Sequence, residues 1–281
     1  MRLHVLDALT RGGREDRPND DSYAVSPFAV AAIDGATGLG DAPLLPGASD
    51  ASWLAVEAAD CISGFTARHE IEPRALVRRT AEALQARFAA RRIRAPQYHY
   101  EVPCAALAML AVSGGALSVA WFGDCRALVR LMDGRLLHFG PKPQHREVER
   151  TRARSLGPLH KEGGGFHANT LDELRRVRAL VNTPRGYGML APDPACAERL
   201  HVEAPVAGAA IALVMSDGFY ALAGDYERYD DAALLKAAES KGLEALYAEL
   251  RAIEDEDPDG RKFPRFKKSD DATAVLARAG D

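Results

Sequence analysis

A chain of 281 residues, 47% hydrophobic and 27% charged, can bury a large core and has the composition of an ordinary globular protein. Its formal charge of -4 and pI near 6.1 argue against a general nucleic-acid binder, which would usually be basic. Four widely spaced cysteines, Cys61, Cys104, Cys125 and Cys196, form no C-x-x-C pair, which argues against zinc and for buried free thiols in a reducing compartment. The start, Met1-Arg2-Leu3-His4-Val5-Leu6-Asp7, is too polar for a signal peptide, and no apolar run reaches the length of a membrane span. The expectation is a cytoplasmic monomer with neither nucleic-acid nor membrane partners.

Residues 2–9 read as an opening strand and 10–21 as a polar loop containing Gly12, Gly13 and Pro18. Two short strands follow, about 22–26 and 28–34, expected to pair antiparallel around Ser26-Pro27. A helix capped by Ser49 or Asp50 places Trp53, Leu54, Val56, Ala59 and Ile62 at helical spacing. A second, over 72–91, sets Leu76, Val77, Leu84 and Phe88 on one face; its arginines read as a solvated opposite face rather than an anion site. Residues 101–139 read as a meander, with strands 105–113, 117–123, 127–132 and 135–139 split by Gly114-Gly115, Gly123-Asp124 and the tight-hairpin pair Asp133-Gly134.

Residues 143–154 are helix-like, 155–169 glycine-rich and expected to be mobile, and 170–181 helical. An irregular segment runs from Asn182 to Pro194. Strands fit 200–204 and 209–216, helices 230–239 and 241–254, and a last strand 272–277. Met109, Met132 and Met215 are core candidates. Runs of strands with paired helices between and after them argue for an α+β fold in one domain over 1–281, with a mobile insert at about 155–194.

Acidic clusters sit at the strand ends or starts: Asp20-Asp21, Asp34, Asp217 and Asp270-Asp271. Two share one pattern, an apolar strand followed at once by Asp-Gly, at Asp34-Gly35 and Asp217-Gly218. Carboxylates gathered at one end of neighbouring strands repel one another, so a cation must neutralise them. An all-oxygen donor set favours magnesium, manganese or calcium over zinc. Asp124 and Arg126 read as parts of a supporting turn, and Cys125 as a buried small side chain.

These motifs, in this order, resemble the metal-dependent Ser/Thr protein phosphatases of the 2C type, as a bacterial-like single-domain member. Asn19-Asp20-Asp21 resembles the family's N-E-D, Asp34-Gly35-Ala36-Thr37-Gly38 its D-G-x-x-G, Gly123-Asp124-Cys125-Arg126-Ala127 its G-D-S-R-A, Ser216-Asp217-Gly218 its S-D-G, and Asp270-Asp271-Ala272-Thr273 its closing D-N-x-T. The resemblance implies a four-layer α-β-β-α sandwich of two mainly antiparallel sheets, and two Mg2+ or Mn2+ ions, with a third possible. It implies that Asp34 bridges both ions, the Gly35 carbonyl ligates one, Asp217 and Asp270 hold the other, Asp20 acts through water and Asp21 orients a water or a neighbouring group. The implied activity is hydrolysis of phosphoserine and phosphothreonine in proteins by a metal-bridging hydroxide.

Three departures stand out. The family's histidine after Asp-Gly is Ala36 here. Its phosphate-binding arginine falls at Asp16, which favours Arg17, with Arg14 further out, as the phosphate clamp. Asp20 replaces a glutamate. For a third ion, Glu101 is the candidate, with a strand-edge charge as the alternative. Arg175, Arg176, Arg178 and Arg185 in the insert are candidates for guiding an acidic phosphopeptide. The departures leave two other readings open: a pseudophosphatase that binds phosphoproteins without turnover, and a hydrolase of small phosphorylated molecules.

Overall fold

The first three strands, Arg2–Arg11 (β1), Asp21–Val25 (β2) and Ala29–Gly35 (β3), divide between two sheets, and that division organises the molecule. The structure is a computed structural model that describes residues 1–141, 168–265 and 267–280, with only the backbone at 168 and 169. The expected helix at 143–154 and most of the glycine-rich stretch at 155–169 lie outside the described residues.

One sheet continues from β2 and β3 through β4 (Ala105–Ser113), β5 (Ala116–Phe122) and β8 (His201–Glu203), in the order β2-β3-β4-β5-β8. The other has the order β1-β10-β9-β6-β7, with β6 at Arg126–Leu131, β7 at Leu136–Phe139, β9 at Ala209–Met215 and β10 at Ala272–Gly280. All the ladders are antiparallel.

The apolar run of β3 is continuous because both its faces are covered. Val30 and Ala32 enter the core between the sheets, whereas Ala29, Ala31 and Ile33 face a helical layer. In β4, Ala106, Ala108, Leu110 and Val112 point inward while Leu107 and Met109 point to the helices. Burying one such leucine contributes roughly 2 kcal/mol. The helical layer on this side consists of α1 (Asp50–Phe65) and α2 (Pro73–Arg91). Ser49 caps α1 by accepting from Ser52 N at 3.2 Å, and Glu72 caps α2 through the amides of Arg74 and Ala75. After α3 (Ala168–Arg178), three helices cover the other sheet: α4 (Asp217–Gly224), α5 (Asp231–Lys241) and α6 (Leu243–Glu256). The α-β-β-α order agrees with the expected sandwich.

Three local readings need correction. The stretch 101–139 is not one meander: β5 and β6 belong to different sheets, and the chain crosses between them at Gly123-Asp124-Cys125. Gly123 has φ +61, and a Cβ there would fall 2.8 Å from that of Ala106, so the crossing is tight and needs glycine. α4 was not expected, because eight residues are too few to show periodicity beside a strand. Val56 and Met132 are exposed, at 48% and 79%, and leave the core to Met109 and Met215. The arginines of α2 lie on a solvated face, as expected, with Arg87 and Arg91 beside Glu57 and Arg78 beside Glu198.

Candidate metal centre

The acids converge because of strand register. Asp21 and Asp34 are direct partners across β2 and β3. On the other sheet β9 and β10 are neighbours; Asp217 follows β9 as the first residue of α4, and Asp270-Asp271 immediately precede β10. Ser216 N donates to Thr273 O at 2.9 Å and Thr273 N donates to Ser216 Oγ at 3.0 Å, which locks these two chain ends together. Asp217 sits at a helix N-terminus, where the peptide dipoles favour a carboxylate.

The carboxyls feel one another. Burial pushes Asp34 well above the usual carboxylate range, and the charges of Asp21, Asp217, Asp124 and Asp270 push it further. Burial does the same to Asp21; the Ser216 hydroxyl tempers the effect, and Asp271, Asp270 and Asp217 add to it. Asp20 is raised by burial, with Ser49 opposing and Asp271 reinforcing.

The donor set fits a hard divalent cation. Asp21 is buried, and its Oδ2 makes no hydrogen bond among the described residues. An anionic oxygen in that position, facing other carboxylates, is costly unless a cation joins it. Oxygen donors of this kind suit magnesium or manganese. Gly35 closes the strand end: a Cβ there would lie 2.4 Å from Asp20 O and 2.8 Å from Ala51 O, and Gly35 N donates to Asp20 O at 3.0 Å. Only glycine brings its carbonyl to this point without moving two backbones.

The surrounding hydrogen bonds hold the cluster in shape. Both oxygens of Asp271 accept backbone amides at 2.7 Å, from Gly13 and from Asp20, so this carboxylate fastens the 12–20 loop to the front of β10. Asn19 Oδ1 accepts from Asp21 N, and its amide donates to Thr10 Oγ1. Ser49, the cap of α1, donates its hydroxyl to Asp20. Asp270 Oδ1 carries the ammonium of Lys267 at 2.7 Å, and Asp270 O accepts from Arg251 Nη2 at 2.6 Å. Burial would push Lys267 down, but Asp270, with Asp34 and Asp217 beyond it, holds it well above the usual lysine range.

A broad cleft of about 1700 Å³ opens over this edge, with Asp20, Asp270 and Asp271 in its wall. Among the cations lining it, Arg14 pairs with Asp16, Arg251 with Glu254, Arg261 with Asp259, Arg265 with Asp257, Lys267 with Asp270 and Lys268 with Asp255. Arg17 is exposed in the same lining and makes no hydrogen bond or ion pair among the described residues. Among the described lining cations Arg17 is the one without such a partner, whereas Arg14 is paired with Asp16.

Asp124 lies in a turn, as the sequence suggests. The sheet crossing also brings its carboxylate beside Asp34, and ligand atoms of Asp34, Asp124 and Cys125 all lie within 4.8 Å of one another. The available signal was an aspartate just after an apolar strand, here preceded by glycine rather than followed by it. Burial pushes the Cys125 thiol well above its ordinary range, and the Asp34 and Asp124 charges push it further, so the thiol stays protonated. Glu101 is engaged within the chain: Arg94 pairs with it at 3.0 Å and Gln97 N donates to it at 2.7 Å.

The insert arginines are also largely committed. Arg175 reaches Leu39 O and Asp41, and Arg176 pairs with Glu173. Arg178 approaches the carbonyls of Ala36 and Thr37 at 3.5 and 3.4 Å, while Arg185 is exposed. Arg175 and Arg178 thus fasten α3 to the loop after Asp34.

No protein-family profile and no curated protein matches the chain. Solved structures do. The serine/threonine phosphatase PstP/Ppp of Mycobacterium tuberculosis is similar at 18% identity and a TM-score of 0.57, over 100% of both chains. The PstP catalytic domain in complex with two manganese ions is similar at 16% identity and a TM-score of 0.53, over 100% of this chain and 99% of that one. The serine/threonine phosphatase Stp1 of Staphylococcus aureus is similar at 12% identity and a TM-score of 0.54, over 99% of this chain and 96% of that one. At such identities what is shared is the fold.

Proposed function

We propose that this chain is a phosphomonoester hydrolase, dependent on two Mg2+ or Mn2+ ions, that dephosphorylates phosphoserine and phosphothreonine in proteins. The observation that carries the reading is the convergence of Asp21, Asp34, Asp217 and Asp270 on one edge of two packed sheets, with an unpaired arginine in the cleft beside them. Support comes from the fold, since the similar structures are of serine/threonine phosphatases and one of them was solved with two manganese ions.

Asp34, the Gly35 carbonyl, Asp217 and Asp270 would hold the two ions. Such ions, when bound, supply a nucleophile at neutral pH and offset charge on the transferred phosphoryl group. The chain's own contribution is placement. Arg17 binds the phosphoryl oxygens in a fork of N–H donors. Ser49 and the amide clamp of Asp271 hold Asp20 in one orientation. Asp21, buried beside Asp34, keeps an acceptor oxygen without a hydrogen bond among the described residues. Ala36 offers no proton, so the leaving alkoxide takes its proton from water in the open cleft. Buried, unpaired cysteines fit a reducing compartment, which supports a cytoplasmic setting.

The test is phosphate release from a phosphothreonine peptide with and without Mn2+, in wild type and in Asp34→Asn. Release that needs Mn2+ and vanishes in D34N is the expected result. Undiminished release by D34N rejects the reading, and tight phosphopeptide binding with no release under saturating Mn2+ moves it to a phosphoprotein-binding module.

A further inference from the structure

Among the ion pairs along the cleft, that of Lys267 differs in kind. Arg14, Arg261, Arg265 and Lys268 hold acids that belong to the scaffold. Lys267 holds Asp270, a carboxylate that the proposed metal centre needs, with Nζ 2.7 Å from Oδ1. Its charge also bears on Asp34, Asp217 and Asp20. The ammonium therefore sits where several of the converging acids can share it, as a counter-cation would.

We propose that Lys267 is the built-in counter-cation of the metal-free centre, and that a divalent ion binding at Asp270 and Asp217 must displace it. The inference rests on the metal-centre reading above. Asp270 cannot easily yield by moving. Its carbonyl is held by Arg251 at 2.6 Å, and its Oδ1 also accepts from Asp271 N at 3.0 Å. The preceding segment is pinned through Arg265, which bonds Asp257 and the carbonyl of Lys268 at 2.8 Å. The lysine has the freedom instead: its side chain is 37% exposed and ends four methylenes from the backbone. An ammonium and a divalent ion gathered on one carboxylate repel each other at contact distance. Lys267 thus stabilises the empty site, weakens one of the two metal positions and makes that ion the exchangeable one.

The test compares wild type with Lys267→Met by calorimetric titration with Mn2+ and by thermal unfolding in EDTA. K267M keeps the stem and loses the charge. The expected result is about tenfold tighter binding at one metal site and no change at the other, with a lower melting temperature in EDTA. A second measurement uses the wild type alone: the 15N resonance of the Lys267 ammonium, identified by its loss in K267R, should shift as Mg2+ is added. Equal Mn2+ affinity in K267M, or a Lys267 resonance unmoved at saturating Mg2+, overturns the proposal while leaving the metal centre standing. A wild-type protein that binds no divalent ion overturns both.

Discussion

Asp21 and Asp34 stand opposite each other in the register of β2 and β3, so that two carboxylates meet on one face at the edge of a sheet. Asp21 is 4% exposed. In the absence of metal the pair is a source of electrostatic strain, and with metal it is a ligand set. Asp34→Asn should separate the two effects. It should stabilise the protein in EDTA by about 1–2 kcal/mol, read by urea unfolding, because one buried like charge is gone. It should also abolish calorimetric Mn2+ uptake. A variant less stable than wild type in EDTA would contradict this account.

Arg17 and Arg14 lie close in sequence and differ in their partners. Arg17→Ala should raise KM for a phosphopeptide about tenfold or more and leave Mn2+ affinity unchanged, since a charge-assisted fork to phosphate is lost. Arg14→Ala removes only an exposed pair with Asp16 and should change KM less than twofold. Steady-state kinetics on both variants decide the assignment.

Asp124 offers a separate check on the acid cluster. If its carboxylate serves the centre, Asp124→Asn should raise the Mn2+ concentration needed for half-maximal activity several-fold, with the circular dichroism spectrum and melting temperature in EDTA near those of wild type or higher. A pure turn residue would show the opposite pattern, with lower stability and an unchanged metal requirement.

Gly35→Ala puts a methyl group 2.4 Å from Asp20 O and 2.8 Å from Ala51 O. Both are backbone atoms, so the strand end must shift and take Asp34 with it. A loss of about 2–3 kcal/mol in stability is expected, together with at least a hundredfold fall in kcat/KM. Chemical denaturation and kinetics measured on one preparation test both.

Asp257 governs the loop that carries Lys267 and Asp270. Burial raises its pKa, but the amides of Lys262, Phe263 and Arg261 and the Arg265 guanidinium outweigh that and hold it well below the usual range. A carboxylate lowered on folding contributes stability above its unfolded pKa, near 4, and that contribution is lost as pH falls through the folded value. Asp257→Asn should therefore destabilise the protein at pH 7, and the difference from wild type should narrow as the pH is lowered below about 4. Denaturation at pH 7, 5, 4 and 3 measures the convergence.

Much of the fold was legible because the strands and most helices carry their own signals. The continuous apolar run of β4, the Asp133-Gly134 turn and the Ser49 cap are local facts of the sequence, and each element formed close to where it was expected. The miss in the middle of the chain has a single cause. β5 and β6 are both apolar strands with a tight turn between them, and nothing local distinguishes a hairpin from a crossing between packed sheets. Met132 and Val56 failed for the related reason that periodicity marks a face without saying whether anything covers it.

The acids at Asp20, Asp21, Asp34, Asp217 and Asp270, each beside a strand end, are determined by the sequence alone, as is the oxygen character of the donor set. The chain by itself also shows Asp34-Gly35-Ala36, with no histidine after the Asp-Gly pair. The tertiary structure alone decided which charges meet. Register set Asp21 against Asp34, the crossing between sheets brought Asp124 beside Asp34, and among the described lining cations ion pairing engages all but Arg17. Charge partners are chosen by distances of a few ångströms between residues far apart in the chain, and such distances are fixed only when the two sheets pack.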